Sequence, residues 1–141
     1  MINPSFVSNY LMKVSMPLWL RTAKKETGKR YHINLNNYHT WHHSQRNKLK
    51  QAYSELAKEK FDPSIRGLKN INLVFVMHRG DKRKVDRANV LCLHEKFFCD
   101  ALVGGGVLKD DNDSFINSTH YLTGEIDREN PRVDIYLTRL Q

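Results

Sequence analysis

The segment Asn70–Met77 (NINLVFVM) is a nearly uninterrupted β-branched and apolar run in the middle of a 141-residue chain. Successive side chains of a strand point to opposite faces, so a strand apolar on both has to be covered on both. The run therefore predicts a buried central strand inside a larger sheet. A chain of 141 residues needs only one core, and residues 1–141 read as a single domain.

The flanking patterns fill in the rest. Tyr10 to Met16 alternates as a strand that Pro17 limits. Residues 18–34 read as a basic, irregular connection, long enough to suspect function. From about Asn37 to Lys60, Trp41, Leu49, Ala52, Tyr53 and Leu56 recur near three- and four-residue intervals. That spacing predicts a helix, with Asn36 or Asn37 as N-cap and Pro63 and Gly67 beyond its end. His78 to Arg87 (HRGDKRKVDR) is a charged loop leading into a second helix, Ala88 to Val103, closed by Gly104, Gly105 and Gly106. Two alternating runs, Ser114 to Thr123 and Val133 to Leu137, predict an antiparallel pair joined across Asn130 and Pro131. The order β-α-β-α-β-β predicts an α+β domain with helices packed on a mixed four-stranded sheet.

Charge is distributed unevenly. The first fifty positions hold nine basic residues (Lys13, Arg21, Lys24, Lys25, Lys29, Arg30, Arg46, Lys48, Lys50) and one acid, Glu26, while the whole chain carries +8. The remaining residues balance, so the excess belongs to the N-terminal third, with a basic segment at 18–50. Such asymmetry points to a polyanion partner. Trp19, Tyr31, Tyr38 and Trp41 are interleaved with these charges and could offer flat faces to bases, or could be core. No stretch has the roughly 20 apolar residues of a membrane helix, and the start lacks the pattern of a secretory signal, so a cytoplasmic location is expected. Cys92 and Cys99, seven residues apart on the second helix, lie roughly 10 Å apart, too far for a disulfide, and read as free thiols.

The second half holds an acidic pattern. Asp86 stands at the start of the second helix with Asn89 inside it, and Asp110 and Asp111 (KDDND) follow the glycines. On a helix Asn89, Lys96 and Asp100 share one stripe beside an apolar face. Oxygen donors of this kind suit a hard cation such as Mg²⁺ or Mn²⁺ more than zinc. From spacing alone the same residues are also open to ordinary roles: Asp86 as a cap, Lys96 and Asp100 as an ion pair, and Asp110 to Asp113 as turn residues.

The ordered set Asp86-Arg87-Ala88-Asn89, Lys96, Asp100-Ala101-Leu102, Gly106-Val107-Leu108 and Asp110-Asp111 resembles the RusA-type Holliday junction resolvases of bacteria and their phages. The Asn34-Leu35-Asn36-Asn37-Tyr38 segment looks like phage members in particular. The resemblance implies metal ligation by Asp86 and Asp111, Lys96 as catalytic lysine, and support from Asn89, Asp100 and Asp110. Asp100 or Asp110 would then serve as a further ligand. It also implies a Mg²⁺-dependent (or Mn²⁺-dependent) endodeoxyribonuclease that works as a homodimer on four-way junctions. Lys24, Lys25, Lys29, Arg30, Arg46, Lys48, Arg83 and Lys84 would track the DNA backbone. Two departures stand out. Ala88 occupies the position of the family's second acid, and the interval from Asn89 to Asp100 is about one helical turn longer than in short members. Aligned from the helix start, Cys92 would take the lysine position. A non-catalytic basic nucleic-acid-binding module is the alternative reading.

Overall fold

The computed structural model describes residues 9–21 and 29–139. Its elements are β1 (Tyr10–Pro17), β2 (Trp19–Arg21), β3 (Arg30–His32), α1 (Leu35–Thr40), α2 (His43–Glu59), β4 (Ile71–His78), α3 (Arg87–Gly104), β5 (Ile116–Thr123) and β6 (Arg132–Arg139). The apolar run is β4, which is buried along nearly its whole length. It lies inside a four-stranded sheet of order β1-β6-β4-β5, antiparallel to β6 and parallel to β5. The expected α+β domain with helices on a mixed four-stranded sheet is therefore present. No helix among the described residues is long and apolar enough to cross a membrane.

The core lies between the sheet and α2 and α3. Alternate residues of three strands point toward the helices: Met12, Val14 and Met16; Leu73, Phe75 and Met77; Val133, Ile135 and Leu137. Phe98 of α3 meets Phe75 edge-on at 6.1 Å, and Phe97 meets Tyr53 of α2 at 5.5 Å. Each such ring, fully buried, contributes on the order of 1.5–3 kcal/mol through removal of apolar surface from water. Both phenylalanines are thus core residues. The reverse face of the sheet is more polar. There Asp134, 2% exposed, accepts from Ser15 Oγ at 2.6 Å and Arg132 Nε at 3.0 Å, so its buried charge is matched.

Three expectations need correction. The long helix from Asn37 to Lys60 is two helices, because the backbone turns at Trp41 and His42. His42 is extended (φ −61°, ψ 150°) and its Nδ1 accepts from Ser44 N at 3.2 Å, which starts a new helix. The first cap is Asn34, whose side chain accepts from Asn37 N at 2.8 Å. The connection at 18–34 is not wholly irregular, since β2 and β3 pair antiparallel within it.

The third correction concerns topology. β5 and β6 do not pair with each other, since β4 lies between them. Their connection crosses the end of β4, fastened by Gly124 N to Met77 O (2.9 Å) and Asp127 N to Arg79 O (2.8 Å). A doubly buried strand needs ladder partners on both edges, and inserting β4 between the two supplies them. A parallel pair also needs a crossover, which α3 provides.

Candidate active site

The position of every proposed group follows from α3. Its first turn is capped by Asp86, whose Oδ1 accepts from Asn89 N at 3.3 Å. Asn89 Oδ1 accepts from Asn36 N at 3.0 Å, tying the start of α3 to α1. Arg87 Nη1 donates to Thr123 Oγ1 at 3.2 Å, which puts this end of α3 beside the C-terminal end of β5.

The far end of α3 reverses at Gly106, which takes the left-handed conformation (φ 77°). Val107 N then donates back to Leu102 O at 2.9 Å, satisfying a carbonyl of the last turn. Leu68 N donates to Val107 O at 2.9 Å, holding the reversed chain against the segment that follows α2. Lys109 to Ser114 are carried back along α3 as a result. Asp110 shapes this return, since its Oδ1 accepts from Asp111 N (2.7 Å) and its Oδ2 from Asn112 Nδ2 (3.2 Å). That is the work of a turn residue.

The reversal brings Asp111 to a cavity of about 330 Å³ between α3 and the start of β5. Glu95, Lys96, Cys99, Asp113 and residues 116–119 line it as well. Glu95 accepts from the Tyr121 hydroxyl at 2.5 Å. Burial, then this bond to a carboxylate, raises the Tyr121 pKa, so the phenol stays protonated. Burial pushes the Cys99 thiol up to about 12, and the carboxylates of Glu95, Asp111 and Asp100 push the same way. Cys92 is raised too, by burial and by Glu95 and Asp86. Both cysteines are free and neutral at physiological pH, so neither acts as a thiolate.

Asp86 is not among the residues that line this cavity with Asp111. Nine to thirteen residues of helix separate the cap from Glu95 and Cys99, which line the cavity with Asp111, roughly 14–20 Å along the axis. Two carboxylates sharing an ion each need an oxygen within about 2.6 Å of it. Gly106 carries Asp111 back to the Glu95–Cys99 stretch of α3, while Asp86 caps the first turn of that helix. Asp100 and Lys96 are not an ion pair either, since Asp100 pairs with Lys50 at 2.9 Å. Lys96 Nζ instead reaches the Tyr38 hydroxyl at 3.4 Å and lies 5.0 Å from its ring centre.

The groups expected on the DNA backbone are dispersed. Lys29 lies over Tyr31 at 5.2 Å and Arg30 over Trp19 at 4.8 Å. Arg83 pairs with Asp81 at 3.2 Å, while Lys48 and Lys84 are exposed. Arg46 is held structurally, with Nε donating to Tyr38 O and Trp41 O at 3.0 and 3.1 Å, where it closes α1. Lys24 and Lys25 lie outside the described residues.

Glu95 and Asp113 were missed from the sequence. The only available signal was the adjacency Glu95-Lys96, since nothing in the spacing says that Asp113 shares a wall with them. Among the described residues no three His, Cys, Asp or Glu side chains gather as a metal-ligating group. Mg²⁺ asks for less, because it keeps several waters and takes one or two carboxylates plus substrate phosphate. Asp111 with Glu95 or Asp113 fits that requirement in donor type. No protein-family model matches the chain, and no curated protein matches it.

Proposed function

We propose that this chain is a Mg²⁺-dependent endonuclease acting on branched DNA, with its chemistry in the cavity between α3 and β5. The observation that carries the reading is that Lys96 shares this open cavity with Glu95, Asp111 and Asp113. The resemblance to RusA-type resolvases supplies the substrate, a four-way junction, and the expectation of a homodimer that nicks two strands.

Asp111 and Glu95 or Asp113 would hold the cation, which when bound supplies a water of lowered pKa and offsets charge on the attacked phosphate. Lys96 places a positive charge where the leaving oxygen develops a negative one. Tyr38, 5.0 Å from Lys96 Nζ at its ring centre, restrains that ammonium by cation–π attraction and by accepting a hydrogen bond from it at 3.4 Å. Tyr121 fixes one oxygen of Glu95 and leaves the other to accept. Asp86 contributes the start of the helix that positions Lys96.

The test is cleavage of labelled four-way junction, with and without Mg²⁺, by the parent protein and by Asp111→Asn, Lys96→Gln and Asp86→Asn. Mg²⁺-dependent paired nicks, lost by at least about a hundredfold in the first two variants and retained in the third, are expected. Loss in Asp86→Asn with the fold intact would move the chemistry to the start of α3. Binding without cleavage under all conditions would leave the non-catalytic module.

A further inference from the structure

A second concavity lies elsewhere, at the C-terminal end of β4. It has a volume of about 560 Å³ and is walled by the β2–β3 ribbon on one side and the 79–85 loop on the other. Arg30, Arg79, Arg83 and Arg128 line it against one carboxylate, Asp81, and that acid is already paired with Arg83 at 3.2 Å. Arg79 Nη1 donates to Arg83 O at 2.6 Å, while its Nε is buried with no hydrogen-bond partner among the described residues. The Arg79 guanidinium thus enters the lining with its donors only partly used, and a guanidinium pairs strongly with anionic oxygens. Trp19 and His32, whose ring centres are 5.8 Å apart, supply an aromatic wall to the same space.

We propose that this concavity binds one unpaired nucleotide of a nucleic-acid strand, its base against Trp19 and His32 and its phosphate among Arg79, Arg128 and Arg30. The volume falls within the range of sites that bury a small ligand. Four arginines around an aromatic wall match the two halves of a nucleotide, its anionic phosphate and its flat base. Selection for an unpaired base follows from geometry, because a base stacked in duplex cannot lay its face on a recessed ring. The site is separate from the Lys96 cavity, and binding there needs neither a metal nor cleavage.

The chain has two tryptophans, so Trp41→Phe leaves Trp19 as the single indole reporter. In that background, with EDTA present, Trp19 fluorescence is titrated with octathymidylate, thymidine 5′-monophosphate, inorganic phosphate and a blunt duplex. Saturable quenching by octathymidylate, weaker quenching by the mononucleotide and none by phosphate or duplex are expected. Arg128→Gln, which alters an exposed side chain, is expected to weaken octathymidylate binding roughly tenfold. It should also flatten the dependence of log K on log salt by about 0.7, as loss of one single-strand phosphate contact requires. Arg79→Gln, checked for fold by circular dichroism, is expected to weaken it at least as much. Absence of quenching by octathymidylate, equal quenching by duplex or phosphate, or unchanged affinity in both variants would overturn the proposal. Because cleavage is not read, failure here is distinct from failure of the nuclease reading.

Discussion

Asp86 lies at the first turn of α3, where four backbone N–H groups lack helical partners, and its carboxylate accepts one of them at 3.3 Å. Asp86→Ala is expected to lower stability by about 1 kcal/mol, read as a shift in the urea midpoint with unchanged slope. His94 is a different kind of polar residue. It is fully buried, hydrogen-bonded to the Tyr53 hydroxyl through Nδ1 at 2.8 Å, and burial lowers its pKa from 6.5 to about 3. The folded chain therefore keeps it neutral where the unfolded chain takes a proton. Its contribution to stability is present above pH 6.5 and is lost as the pH falls toward 3. By pH 5 the loss amounts to about 2 kcal/mol. Urea unfolding at pH 7 and pH 5 measures it, and His94→Gln should remove most of the difference. Asp62 and Asp127, held below the usual carboxylate range chiefly by backbone hydrogen bonds from Ser64 and Asn130, act in the same direction at lower pH.

At the scale of elements, the reversal after α3 decides what Asp111 can reach. Gly106 adopts φ 77°, and a Cβ there would come 2.3 Å from Arg66 Nη2, the far end of a flexible side chain that can move aside. The backbone penalty remains. Gly106→Ala is expected to destabilise the fold by about 1–2 kcal/mol in urea unfolding. It should also lower junction cleavage, because the loop bearing Asp111 is fastened to this turn. The helices and most strands were legible from spacing, since period and turn residues are local properties. The break at Trp41 was not, because His42 as a cap depends on one side-chain torsion and not on a pattern. The β5–β6 pairing was misread for a related reason. Alternation identifies a strand but carries no information about its neighbour.

At the scale of the molecule, the core is a single layer of apolar contacts between sheet and helices, centred on Phe98 between Phe61 and Phe75. Phe98→Ala is expected to cost about 3–5 kcal/mol, measured by thermal or urea unfolding. The net charge of +8 acts over the whole surface. If about four phosphates are neutralised, affinity for junction DNA is expected to fall roughly a hundredfold between 50 and 200 mM salt. A flat response in a filter-binding or anisotropy titration would rule out a polyanion partner.

From the order of its residues alone this chain determined its class, its central strand, its two long helices, the turn at the glycines and the excess of positive charge. These follow from periodicity, backbone freedom and counting. Only the tertiary structure decided that Asp111, Glu95 and Asp113 share a cavity with Lys96 while Asp86 caps the first turn of α3, and that Arg79 and Arg128 converge beside Trp19. Such meetings depend on where a crossover helix and a reversed loop come to rest, which is set by packing between residues far apart in the chain.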